Sequence, residues 1–454
     1  MSADPTILAD PPADPIVRLL ATRGPHAAGE PQRLVLDQVL AGRQHLEGRD
    51  IPGWQDRETG GLDLKAAVLR SAGLNGADLS QANLRGADLE HAQARGAHFD
   101  GTILEQARFI DADCGGASFA AAQAGEACFE RAMLEDARFD GASLRFADLR
   151  DTLLDGASFA KADLWGARFD ACDADEASFA AARLDEASLK GGNFAQGDFR
   201  GASLKKARLE GARLRGADFA DARLEGANLA GADLSQASLP RVNLTATDLT
   251  HVRLGGAWLE NTRLRVEQLG GQVGEERDGE FAAARQAYVA LEGNFRSLGD
   301  AVGESWAFRK SRRMGRAEKN RAARAAWAER QWRPALVAGF GWLSDSFVEW
   351  LCDYGESLWR VVRAFFTTVL GFALCYGLTG SLTRTAAAGA ARAPTRHLLD
   401  LVVFSFINML STSAPDIGIR PANELVVLLV SLQGALGIVL IGLFGYVLGN
   451  RMHR

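Results

Sequence analysis

Every fifth residue from Leu64 to Leu264 is Leu or Phe, and no insertion breaks the phase across these 41 positions. The exceptions are Ala94, Cys114, Ala124 and Ala174. Two residues before each of these positions stands a small residue, most often Ala, as in "GADLSQANLRGADLE" at 76–90. A period of five fits neither a helix of 3.6 residues per turn nor a strand of period two, so it defines a repeat before it defines secondary structure. A longer period lies over it. Phe99, Phe119, Phe139, Phe159, Phe179, Phe199 and Phe219 fall twenty residues apart, with Leu79 before them and Leu239 and Leu259 after. If four pentapeptides make one coil, these seven rings form a ladder on one inner wall, spaced at the β repeat of roughly 4.8 Å. Ala94, Cys114 and Ala174 share another wall, where they leave room for rings entering a narrow interior.

These pentapeptides, with "GASLRFADL" and "GANLAGADLSQASL", resemble the A-[D/N]-L-x-x units of pentapeptide-repeat proteins. The resemblance implies a right-handed quadrilateral β-helix over 56–270, about ten coils forming a rod of roughly 50 Å. Such a solenoid makes nearest-neighbour contacts and needs a cap at each end. Some members of that family inhibit DNA gyrase by imitating acidic, rod-like DNA, so the charge pattern matters here. Residues 61–180 carry 11 Lys/Arg against 21 Asp/Glu, whereas 181–265 carry 13 against 10. A DNA mimic needs a continuous negative surface, and the change of sign argues against it; the charges read as a solvated surface.

Residues 1–55 comprise a Pro/Ala/Asp-rich disordered tail, a short helix around 32–40 and a loop in which Trp54 covers the first coil. "MSADPTILADPPADP" has neither a basic n-region nor an apolar h-region and is not a secretory signal. Cys114, Cys128, Cys172, Cys352 and Cys375 form no CxxC framework and read as small hydrophobes rather than disulfides, and the seven His have no metal-ligand spacing. No nucleophile–base pair or phosphate-cradling loop stands out, so the reading is of a non-enzyme without cofactor or metal.

Beyond "GGQVGEERDGE" the period turns helical. Phe281, Ala284, Tyr288, Leu291, Phe295 and Leu298 make an apolar stripe, "LGDAVGE" a turn, and a second helix starts near Ser305. The segment 271–335 is read as a basic helical hairpin or neck, a cap for the repeat and a spacer, with partner binding open. Its residues 309–333 hold ten Lys/Arg and two acids. A juxtamembrane helix touching anionic lipid heads explains this run more simply than nucleic-acid binding, and no nucleic-acid partner is expected. Trp327, Trp332, Trp342, Trp350 and Trp359 bracket the transition, where a membrane interface favours them.

The region 336–454 reads as a membrane domain. The segments 361–382 and 425–449 are long and apolar enough to span a bilayer, and Arg363 is the one charge in either. The helix at 397–410 is too short to span and suits a re-entrant helix, with its loop running to 419. "VFSFINMLSTSAPDIGIRP" at 403–421 resembles the pore segment of two-helix potassium channels, and "QGALGIVLIGLFGYVLGNR" their inner helix. That resemblance places Ser411, Thr412, Ser413, Ala414, Pro415 and Asp416 at the filter, and Gly434 and Gly437 at an inner-helix hinge or at a close helix contact. Ser413 and Pro415 replace the two filter glycines, and Pro fixes φ near −65°, so the usual carbonyl cage for potassium is not expected.

The sequence therefore predicts an integral membrane protein of the plasma (inner) membrane, with the β-helix and both termini cytoplasmic. It predicts a homo-oligomer, taken as a tetramer, in contact with membrane lipids and with monovalent ions as possible passengers. The rival reading is a non-conducting anchor that presents the β-helix to a protein partner.

Overall fold

The computed structural model describes residues 61–384, 394–395, 397–410 and 418–452, and the expectations for Trp54 and the N-terminal helix fall outside them. The chain divides into two compact units between Ser311 and Arg312.

In the first unit, parallel bridges join residues twenty apart from Asp63↔Asn83 to Asn243↔Arg263, so four pentapeptides close each coil. The backbone explains the period. The central residue of each unit donates to a carbonyl of the next coil, as Leu64 N does to Asn83 O at 2.8 Å, and the following coil donates back, as Asn83 N does to Leu62 O at 2.8 Å. Between these rungs the chain turns a corner. The residue two places after the central one sits at positive φ on corner after corner, Gly76 at 65° and Gly86 at 65° among them. The Asp or Asn preceding the central residue locks the turn by accepting from the backbone N–H two residues on, as Asp78 does from Ser80 N at 3.0 Å and Asp233 from Ser235 N at 2.9 Å. The small and the large residue of each unit point inward and are buried.

The seven phenylalanines stack along the interior with centroids 4.6–5.1 Å apart and planes within 7° of parallel. A second set comes from the opposite wall: Phe109 meets Phe99 and Phe119 edge-on at 5.7 and 5.8 Å, and Phe169 meets Phe159 and Phe179 at 5.6 and 5.7 Å. Coil volume is balanced residue by residue. Where two rings face each other, a third wall is reduced to Cys114, Ala124 or Ala174. Phe194 stands on the wall of Cys114 and Ala174, one coil after Ala174. Further room is made at Gly192 and Gly197, which replace the usual Ala; a Cβ at Gly192 would lie 2.7 Å from Phe194 Cε2 and 3.2 Å from Phe169 O. Gly192→Ala is expected to lower the repeat's stability by about 1–3 kcal/mol, the usual range for overpacking. Thermal unfolding followed by circular dichroism measures it.

Past Leu264 the phase gives way to a 3₁₀ turn (Val266–Leu269), a one-turn helix (Gly274–Arg277) and helix α1 (Phe281–Ser297). Helix α1 buries Ala284, Ala287, Tyr288, Leu291, Asn294 and Phe295. Leu298 lies past its end and is exposed, so the apolar stripe stops one residue short of the sequence reading. Helix α2 (Ala301–Ala328) begins earlier than the expected Ser305, because Asp300 caps it, its Oδ1 accepting from Gly303 N at 3.0 Å.

The second unit contains the rest of α2, then α3 (Trp332–Cys352), α4 (Leu358–Thr379), α5 (Leu398–Leu410) and α6 (Glu424–Met452). A short antiparallel pair, β1 (Leu382–Arg384) with β2 (Ile419–Pro421), ties the end of α4 to the start of α6. The division between units lies inside α2. Lys310 is bound to Glu276 at 2.9 Å, whereas Arg313 pairs with Glu349 at 3.0 Å and Lys319 with Asp345 at 2.6 Å. Helix α4 ends where Gly380 takes φ 60°, three residues before the predicted end of the span.

Candidate functional site

Two places gather polar groups in buried surroundings. The first is the C-terminal edge of the β-helix. Its last coil has no following coil to pair with, so donors and acceptors of the ladder are left over. Side chains from the segment after the repeat supply them. Glu275 Oε1 accepts from Leu254 N at 2.8 Å and Gly255 N at 2.6 Å, standing in for the carbonyl of an absent coil. Asn294 acts as a strand fragment: its Nδ2 donates to Thr262 O at 2.8 Å and its Oδ1 accepts from Thr262 N at 3.0 Å. Tyr288 accepts from Val273 N at 3.1 Å and donates to Glu276, which also holds Lys310.

Burial holds the Glu275 carboxyl above its ordinary range, against the N–H groups it accepts from and the charge of Arg253. The folded state therefore binds this proton more tightly than the unfolded chain. The contribution is full below the unfolded value of about 4.3 and is lost as pH rises through the folded one. Glu275→Gln keeps the acceptor and removes the titration. Its stability relative to the parent is expected to improve steadily from about pH 4 toward neutrality, which melting curves across that interval test.

The second place lies among α4, α5 and α6. Helix α5 packs against both longer helices, and its Ser405 and Asn408 side chains turn inward. Gln433 on α6, fully buried, has all its amide groups engaged. Its Nε2 donates to Ser405 O at 3.1 Å and to Ser405 Oγ at 2.5 Å, while its Oε1 accepts from Tyr376 OH at 2.9 Å and Asn408 Nδ2 at 3.1 Å. Asn408 also donates to Val430 O at 2.9 Å, and Ser405 Oγ to Val369 O at 2.7 Å. One node thus fixes three helices in register. The signal for it was in the sequence: Gln433 is the one amide side chain in the charge-free stretch 425–449, and Ser405 and Asn408 interrupt an apolar run at helical spacing.

Of the residues singled out from the sequence, Ser411, Thr412, Ser413, Ala414, Pro415 and Asp416 lie outside the described residues. Gly434 and Gly437 are both buried within a continuous α6. A Cβ at Gly437 would come within 2.1 Å of Met409 O, so α6 touches the backbone of α5 there. Among the described residues the one group with metal-ligand proximity is Cys128, Glu130 and Asp148. Arg150 already bridges its carboxylates, at 3.1 Å to Glu130 and 2.7 Å to Asp148, so a cation is present in side-chain form.

The architecture defines a class: a parallel β-helix of five-residue units in a chain that also carries two helices, Leu358–Thr379 and Glu424–Gly449, long and apolar enough to cross a membrane. Residues 63–265 match the family model for pentapeptide repeats in eight overlapping copies, and through this region the chain belongs to the pentapeptide-repeat family. Among solved structures it is similar to HetL, a pentapeptide repeat protein involved in heterocyst differentiation regulation from the cyanobacterium Nostoc sp. strain PCC 7120. The identity is 31% over 46% of this chain and 90% of that one, with a TM-score of 0.34. It is also similar to Rfr23 from the cyanobacterium Cyanothece 51142 (32% identity, 23% and 64% of the two chains, TM-score 0.17). The plasmid-mediated fluoroquinolone resistance protein QnrB1 follows at 22% identity over 41% of this chain and 87% of that one, with a TM-score of 0.21. Comparison with curated proteins returned no match.

Proposed function

We propose that this chain is an integral membrane protein in which α4 and α6 span the bilayer, α5 enters it from one side, and a right-handed quadrilateral β-helix is carried in the cytoplasm as a sensor or scaffold. The observation that carries this reading is the distribution of apolar side chains. The most apolar stretches of α4 and α6 are only 28% and 33% buried, although α6 is apolar on every side. A core helix of a water-soluble domain would be mostly covered. Here Leu370, Leu374 and Leu378 on α4, and Leu428, Leu432 and Val439 on α6, face outward as lipid-facing residues do.

Span, short helix and span, held by one polar node, suit a homotetrameric pore lined by the loop after α5, with Ser411 to Asp416 at the constriction and monovalent ions as cargo. Hydroxyls of Ser411, Thr412 and Ser413 would then replace the carbonyl cage that Pro415 disfavours. The same Ser413 and Pro415 favour a second reading, a non-conducting anchor that presents the β-helix to a protein partner.

Reconstituted protein separates the two. Monovalent-cation flux across proteoliposomes, together with a tetrameric mass in detergent, supports the pore. No flux in the parent, and none in Ser413→Gly/Pro415→Gly, supports the anchor. Recovery of the full chain in the aqueous fraction without detergent would overturn both.

A further inference from the structure

An apolar groove of about 540 Å³ opens beside α4, between the end of α3 and the middle of α6. Trp350 of α3, Thr368, Gly371 and Phe372 of α4, and Leu436 and Leu440 of α6 line it. Its size falls within the range of small-molecule sites. Its floor offers no polar group to a hydrophilic ligand, since the Thr368 hydroxyl is spent on Ala364 O at 2.8 Å. Gly371 keeps it open: a Cβ there meets nothing within 4 Å.

A cation stands at one end. Arg363 lies about one turn before Thr368 on α4, exposed, with its guanidinium 5.9 Å from the Trp350 ring and Nη2 donating to Trp350 O at 3.2 Å. Its neighbours are neutralised, Arg360 by Asp353 at 3.5 Å and Arg313 by Glu349 at 3.0 Å. Arg363 has no carboxylate partner among the described residues. Trp350 and Trp359 are exposed at the same level, as aromatic residues are at a bilayer interface. From Arg363 to Cys375, at the groove's other end, the helix rises roughly 18 Å, the reach of a long acyl chain.

We propose that this groove is a binding site for one anionic glycerophospholipid, with an acyl chain lying against Gly371 and Phe372 and the phosphate on Arg363. The assignment rests on the membrane reading above. It goes further in giving the lipid a fixed place and a headgroup preference, so that α3, α4 and α6 close around a resident lipid.

Native mass spectrometry of the full chain, delipidated in mild detergent and re-exposed to phosphatidylglycerol or phosphatidylcholine, tests it. The parent is expected to retain one phosphatidylglycerol per chain, in preference to phosphatidylcholine by about fivefold, the effect of one interfacial cation. Arg363→Gln should abolish the preference while retaining lipid. Gly371→Leu, which grows into open space and leaves the fold intact, should lose both lipids. Equal retention in all three proteins overturns the site. So does a bismaleimide cross-link between Cys375 residues of two chains that Gly371→Leu abolishes, which would make a second copy the occupant. Failure of the membrane reading looks different, because the chain would then stay soluble with no detergent present.

Discussion

Replacing Glu275 and Asn294 together by Ala is expected to lower the stability of the repeat by about 4 kcal/mol, from three buried backbone groups left unpaired at about 1–3 kcal/mol each. The three are Leu254 N, Gly255 N and Thr262 O; Thr262 N keeps its turn bond to Leu259 O at 3.0 Å. The side chains act on different pentapeptides of the last coil, so their effects should add to within a few tenths of a kcal/mol. In a solenoid with nearest-neighbour coupling the damage starts at the end and spreads inward. Amide hydrogen exchange should therefore accelerate first around 244–264, while the coils around Phe119 remain protected. Glu275→Gln, which keeps the acceptor, should recover the part due to Leu254 N and Gly255 N, whereas Asn294→Asp, which loses the donor to Thr262 O, should not recover the rest. Uniform acceleration along the whole repeat would mean that the cap holds no particular edge.

This cap was only half legible in the sequence. The loss of phase after Leu264 and the helical stripe that follows mark where the repeat ends and that a helix covers it. Asn294, however, falls on the buried face of that stripe between Leu291 and Phe295, where pattern reading sees an isolated polar residue. Its role depends on the register of α1 over the last coil, a tertiary fact. The coil itself was more legible, because phase of five and phase of twenty are both properties of sequence and each corresponds to one physical event, a corner and a stacking step. The opposing rings of Phe109, Phe129 and Phe169 keep the same phase of twenty but are interrupted by Leu149, and the choice of ring or Leu becomes intelligible only when volumes are summed around a coil.

In the helical unit, charge-free length marked α4 and α6, whereas α3 escaped notice. Asp345, Glu349 and Asp353 recur every four residues and make the segment look polar, yet they serve one face. Arg313 and Lys319 of α2 take up that face, and Arg360 takes up Asp353. The opposite face carries Val337, Phe340, Leu343 and Phe347, all exposed. An amphipathic helix of this kind lies on an interface better than it crosses one.

Gly437→Ala is expected to cost about 3 kcal/mol or more, the upper end of overpacking, because the added methyl meets backbone instead of a side chain that could turn away. The nearest atoms are Met409 O at 2.1 Å and Met409 Cα at 2.8 Å, and neither can move unless α5 and α6 separate. Separation would strain the node one turn away, where Asn408 and Gln433 meet at 3.1 Å. Gly442→Ala, whose methyl would meet nothing within 4 Å, is the matched control and should change stability by well under 1 kcal/mol. The comparison decides what Gly437 is for. A close-packing glycine gives a protein that unfolds at lower temperature or fails to assemble in detergent. On the proposed pore reading, a hinge glycine gives a normally stable protein in which flux alone changes. Met409 stands two residues before Ser411, so the contact at Gly437 also fixes the point from which the chain enters 411–416. Flux lost in Gly437→Ala but kept in Gly442→Ala, in protein still assembled, would make that entry point a determinant of conduction.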